Sequence, residues 1–292
     1  MSSVNVDDRL ERQREGVRAF LRACWSVAWL EYKALRIYPV NLWLAAVQEL
    51  TTVGVWYFVS RFLSPMADGH VAQYGGHYVT YVLVGVLVNQ VGLTALRSPF
   101  ATISEAFWDK RLETYRLAIH GIWANIVGRL AWQVGFSTIL QVGAASLLVA
   151  TGVLTLGRGI SWVDVILVWV LLILANMGLG LMGASLFFLL EVKSGQDPIT
   201  WLYQYLIQIV TGLYVPLTVL PKWLAAVGRV LPQTYTFEAM RSTILTGSGW
   251  HAIAPDLAGL GVGSVIVVGL GLLMMHWAVV RAERRAGLGV VV

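Results

Sequence analysis

Long apolar stretches separated by short polar ones run through most of the chain. Six of them, residues 40–59, 78–96, 130–157, 165–190, 199–221 and 257–280, are apolar enough to cross a bilayer. At 1.5 Å per helical residue each covers about 30 Å of hydrocarbon. The third and fourth contain no charged residue. Ahead of the first, "VRAFLRACWSVAWLEYKALRIYP" has a helical period: Arg14, Arg18, Arg22, Lys33 and Arg36 share one stripe. Phe20, Leu21, Cys24, Val27, Ala28 and Leu35 lie opposite, with Glu31 the exception. A basic amphipathic helix of this kind is expected in the membrane interface, against anionic headgroups. Between the second and third stretches, "SPFATISEAFWDKRLETYRLAIHGIW" opens on Pro99 and interleaves charges with Phe107, Trp108 and Tyr115. That pattern predicts a helix outside the bilayer offering large side chains to a partner. The expected fold is an all-α integral membrane protein with six transmembrane helices.

One stretch resists this pattern. "YVPLTVLPKWLAAVGRVLPQTYTFEAMR" carries Pro216, Pro221 and Pro232. Proline removes a helical hydrogen bond, and non-helical backbone is not tolerated against hydrocarbon. A break here needs protein around it.

Composition agrees with the pattern: 57% of residues are hydrophobic, 13% are charged, and mean hydropathy is +0.69. Soluble domains carry roughly 25% charged residues. The net charge of +5 matters less than its placement. With the N-terminus inside, fifteen Lys and Arg fall on the cytoplasmic side and five on the other. The positive-inside rule then puts both termini in the cytoplasm. The polar start "MSSVNVDDRLERQREG" lacks a signal-peptide core, so the first span is expected to act as an uncleaved anchor. Cys24 is the single cysteine, which excludes an intrachain disulfide framework. No long run of like charge suggests a nucleic-acid partner.

Catalytic motifs are missing. "GLGLMG", residues 178–183, matches G-x-G-x-x-G literally but lies inside an uncharged apolar run, not between a strand and a helix. Small residues there are expected to let helices approach closely, and "GLGVG" at 259–263 is read the same way. No Gly-Lys pair occurs, so there is no phosphate-binding P-loop. The five histidines lack metal-ligand spacing. The chain is expected to be neither an enzyme nor a metal or cofactor binder.

Polar residues inside the spans are few. Gln48 and Glu49 lie in the first, Asn89 and Gln90 in the second, Gln133 and Gln141 in the third. Asn176 lies in the fourth, and Gln204 and Gln208 in the fifth, one turn apart on a shared face. Such groups either line a polar path or bond helix to helix. Gln48, Glu49, Asn89, Gln90, Gln204 and Gln208 are the candidates for a translocation path.

"TGLYVPLTVLPKWLAAVGRVLPQTYTFEAMRSTIL" resembles the permease signature of type-2 ATP-binding-cassette (ABC) transporters. A Gly-aromatic-x-Pro element matches 212–216, and Leu-Pro-x-Trp-Leu matches 220–224. A Pro-x-Thr-Tyr element and a helix ending in Arg241 follow, with Leu231 where the family often has Asn. "KRLETYRLAI" is similar to the family's Gly-Thr-Leu-Glu element, with Lys110 and Arg111 in place of Gly-Thr.

The resemblance implies a six-helix domain over residues 40–280, preceded by the tail and interfacial helix of 1–39 and followed by a tail of 281–292. It implies a coupling helix at 101–121, whose Glu105, Trp108, Asp109, Lys110, Arg111, Glu113 and Tyr115 would contact a cytosolic ABC ATPase subunit. It also implies a re-entrant outer-side segment at 212–246, in which Glu238 and Arg241 could pair. ATP and Mg would sit on the ATPase, and a second permease chain would complete a homo- or heterodimer. The implied function is export of a drug, lipid or lipid-linked glycan across a prokaryotic cytoplasmic membrane. An ion-gradient-driven transporter or channel centred on Glu49 is the alternative.

Overall fold

The computed structural model describes residues 6–75, 77–111, 121–189 and 197–286, with only the backbone path for 6–15, 206 and 282–286. Among them there is helix and no strand. The order is α1 (Val6–Ile37), α2 (Pro39–Ala67), a 3-10 segment (Asp68–Tyr74), α3 (Tyr78–Trp108), α4 (Gly121–Ala150) and α5 (Trp162–Leu189). Then come α6 (Pro198–Leu202), a π turn (Tyr203–Ile207), α7 (Gln208–Val210), α8 (Lys222–Val230), α9 (Pro232–Arg241) and α10 (Trp250–Ala286). Five helices are long and apolar enough to cross a membrane: α2 with its 3-10 extension, α3, α4, α5 and α10. This architecture is that of a multi-pass helical membrane protein.

α3 is the most enclosed of the five. Its valine-rich run is apolar on every side, as a central helix must be, and it packs on α2, α4, α5 and α9. α2 instead presents Trp43, Phe58, Phe62 and Met66 outward, which suits hydrocarbon. In lipid, helix contact depends on close packing rather than on escape from water, and the glycines of "GLGLMG" each serve a different neighbour. Gly178 lies against the α10 backbone at Val267 and Val268, Gly180 against the Leu96 carbonyl of α3, and Gly183 against Asp197. On α10, Gly259 receives the Tyr235 ring and Gly263 receives Pro232, seating α9.

α1 lies against α4. A Cβ on Gly128 would sit 2.6 Å from the Cys24 carbonyl oxygen and 2.8 Å from Val27 Cβ, so only glycine permits this crossing. The face predicted to be apolar therefore splits. Cys24 and Val27 turn toward α4, whereas Leu21 is exposed. Glu31 is explained by Arg129 of α4, which it meets at 2.8 Å.

Two expected boundaries are corrected. The helix of the second apolar stretch does not end at residue 96: α3 continues through Pro99 to Trp108. Pro99 therefore sits inside a helix, where it deprives only the Ala95 carbonyl of a donor. The fifth stretch, 199–221, is no single helix. The π turn widens it, Gly212 ends it at φ 79°, and an irregular path leads to Pro216. Glu113 and Tyr115 lie outside the described residues.

Candidate functional site

The proline-rich stretch is organised by its prolines rather than disrupted by them. Pro216 precedes a 3-10 turn (Leu217–Val219), Pro221 precedes α8, and Pro232 is the first residue of α9. A helix start is where a missing N–H costs nothing. The irregular backbone of residues 211–216 leaves carbonyls without helical donors, and side chains from two other elements supply them. Arg241, 1% exposed, donates Nη1 to the Gly212 carbonyl (2.9 Å) and Nη2 to that of Leu213 (2.8 Å). Its Nε donates to the Tyr81 carbonyl at 3.1 Å. The Tyr81 hydroxyl donates to Gly212 (2.7 Å) and the Tyr78 hydroxyl to Tyr214 (2.9 Å). The guanidinium stacks 3.5 Å from the Tyr81 ring centroid, and Gly85 leaves the room for it. Arg241 thus spends its donors on backbone, and among the described residues it forms no ion pair with Glu238. The planar fork of arginine suits several fixed acceptors at once.

A second polar construction lies between α1, α2, α3 and α4. Gln48 and Glu49 of α2, Gln90, Thr94 and Arg97 of α3, and Gln133, Ser137 and Gln141 of α4 line a cavity of about 290 Å³. Glu49 stands ten residues into α2, about 15 Å along the helix. Gln141 Nε2 donates to Glu49 Oε2 at 2.7 Å. The other oxygens of both side chains, Glu49 Oε1 and Gln141 Oε1, are buried without a hydrogen-bond partner, and so is Arg97 Nε. Buried polar groups are normally satisfied, and in hydrocarbon an unsatisfied one is costly. This cluster has room and capacity for something else.

The six path candidates therefore separate. Gln48, Glu49 and Gln90 come together around this cavity. Asn89 accepts from the Tyr203 hydroxyl at 3.1 Å, Gln204 from Arg97 Nη2 at 2.7 Å, and Gln208 from the Tyr214 hydroxyl at 3.1 Å. These three are bonded to protein. Gln204 and Gln208 engage different partners because the intervening π turn has a wider period than an α-turn. Arg97, Gln133 and Gln141 were missed as site residues. Arg97 lies just past the second apolar stretch, and only the continuation of α3 as helix to Trp108 puts it in line with Gln90 and Thr94.

The third feature is the end of α3. Arg129 of α4 joins Glu31 of α1 (2.8 Å) to Glu105 of α3 (2.6 Å). Trp108, 61% exposed, and Asp109, Lys110 and Arg111 lie beyond this knot. Lys110 has φ 57°, a left-handed conformation that favours glycine.

Fold and site together define a multi-pass helical membrane protein with a polar cavity inside its spans and a clamped, broken helix beside them. No family model matches the chain, and no curated protein matches it either.

Proposed function

We propose that the chain is the membrane-spanning permease subunit of an ATP-driven type-2 ABC exporter. It moves an amphipathic or hydrophobic substrate, a drug, lipid or lipid-linked glycan, across a prokaryotic cytoplasmic membrane. Two permease chains form the path and two separate ATPase subunits drive it, since this chain has no P-loop of its own. The broken segment from α6 to Leu220 makes the sixth crossing, and both termini are cytoplasmic, in keeping with the excess of Lys and Arg there.

The observation that carries this reading is the tethered end of α3. The exposed turn of residues 108–111 follows directly on the knot that joins α1, α3 and α4. A partner pushing on that turn therefore moves the helices that bound the polar cavity. The left-handed backbone of Lys110 supports the reading further, because it falls where the resembled element has glycine. The test is association. The purified chain binds the ATPase encoded beside it and stimulates its hydrolysis, and Trp108→Ala with Arg111→Glu weakens both. A wild-type chain that never associates with that ATPase ends the proposal.

Glu49 favours one other reading, a transporter coupled to protons. Transport that persists without ATP and collapses with the proton gradient would select it.

A further inference from the structure

Gln141 belongs to two cavities. It walls the polar cavity around Glu49, and it also lines an apolar groove of about 440 Å³ between α3, α4 and α5. The groove is bounded by Leu87, Ala145, Val165 and the rings of Trp162 and Trp169. Beside Gln141, the residue common to both cavities, two acceptors lack a hydrogen-bond partner: Glu49 Oε1 and Gln141 Oε1, on side chains only 8% and 3% exposed. One of them belongs to a carboxylate, whose other polar neighbour is the Gln90 side chain. Whatever completes the pair must donate hydrogen bonds, and it gains most by carrying positive charge. Of the protein's own cations nearby, Arg129 is bound to Glu31 and Glu105, and Arg97 donates Nη2 to Gln204 while its Nε, in the wall of the same cavity, makes no hydrogen bond to Glu49 or Gln141. Among the described residues no Lys or Arg forms an ion pair with Glu49.

We propose that Glu49 and Gln141 bind the ammonium group of an amphipathic organic amine, whose apolar body lies in the Trp162–Trp169 groove. A primary or secondary ammonium brings at least two N–H donors and one charge, which matches two acceptors and one carboxylate. A hydroxyl brings one donor and no charge, and a quaternary ammonium brings charge but no donor. Affinity therefore falls from the protonated amine to the trimethylammonium analogue to the neutral amide. The groove accepts a body of aryl or branched-alkyl bulk, for which indole rings offer broad apolar faces. The inference rests on the exporter reading only in calling this ligand a substrate.

The experiment uses the full chain in lipid nanodiscs, without ATPase or nucleotide. Binding of a naphthylalkylamine is measured by equilibrium dialysis at pH 7, against empty nanodiscs. Its N-acetyl derivative serves as the neutral control. The amine binds saturably, one per chain, and the N-acetyl compound at least tenfold more weakly. Glu49→Gln lowers amine affinity at least tenfold and leaves the N-acetyl compound unchanged. Ala145→Leu, which narrows the groove while keeping the carboxylate, also lowers it. Equal binding of amine and amide to the wild-type chain overturns the proposal whether or not either variant folds. So does uptake no greater than in empty nanodiscs, or a folded Glu49→Gln chain that binds the amine as before. Such a result leaves the exporter reading standing. Conversely, failure to associate with an ATPase ends the exporter reading and leaves a positive binding result intact.

Discussion

The Arg241 clamp and the Glu49 cluster are both buried, both built on α3, and both centred on a side chain that is charged in water. They differ in how completely their hydrogen bonds are made. Each nitrogen of Arg241 has an acceptor, and the Gly212, Leu213 and Tyr214 carbonyls each have a donor. Around Glu49, two acceptors and one guanidinium N–H are left over, and a cavity adjoins them. A saturated polar network in the membrane serves architecture, because every bond in it is already spoken for. An unsaturated one that also has volume serves binding. Saturation, not polarity, separates the two.

The largest expected effect comes from breaking the saturated site. Arg241→Met takes the donor from Leu213 and one donor each from Gly212 and Tyr81. A buried group stripped of its partner costs roughly 1–3 kcal/mol. With the loss of stacking, a total on the order of 4 kcal/mol follows, enough to leave little folded protein on size-exclusion in mild detergent. Arg241→Lys recovers part of this at best, since an ammonium cannot span three carbonyls in one plane. A monodisperse Arg241→Met chain with an unchanged melting temperature would show that the break is held by other means.

Gly85→Ala attacks the same clamp from behind. The added methyl meets the Arg241 guanidinium, and its carbon falls 2.9 Å from Leu213 Cδ1. Overpacking of this kind costs about 1–3 kcal/mol, read as a lowered melting temperature. Tyr81→Phe is gentler. It removes the hydroxyl bond to Gly212, but that carbonyl keeps Arg241 Nη1. A loss of about 1 kcal/mol is expected, and a larger loss would mean that the hydroxyl, not the guanidinium, holds the break.

Much of this was legible in the sequence, and the reasons for the remainder are physical. Apolar run length placed five long helices, because a span must satisfy its backbone internally and its side chains advertise the solvent. The same signal fails for residues 199–221, where composition reads as one span. The π turn, Gly212 and the donors from α3 and α9 make it three pieces. The prolines announced a break, but that Arg241 would close it on backbone rather than on Glu238 depends on the crossing of α3 and α9. Proline signals also misled once: Pro99 marks no helix start, since α3 carries its helix past it. For the cluster, residue type singled out Gln48, Glu49 and Gln90. Gln133 and Gln141 stood out as polar span residues too, but only the packing of α4 on α3 brings them and Arg97 to the same cavity, and an orphaned oxygen has no sequence signature at all.

The smallest expected change in stability falls on the unsaturated site, and it sharpens the contrast most. Glu49→Gln exchanges a carboxylate for an amide of the same shape. It keeps an oxygen to accept from Gln141 Nε2, which now bonds Glu49 Oε2 at 2.7 Å. It also removes the cost of holding a carboxylate in low dielectric. The melting temperature of the empty chain is therefore expected to hold or rise slightly, by no more than about 1 kcal/mol in equivalent stability. In the presence of amine the order reverses: wild-type gains stability from a ligand that binds only the folded state, and the Glu49→Gln chain gains less at the same amine concentration. A Glu49→Gln chain destabilised as badly as Arg241→Met would place Glu49 among the architectural groups, and the difference drawn between the two sites would fail.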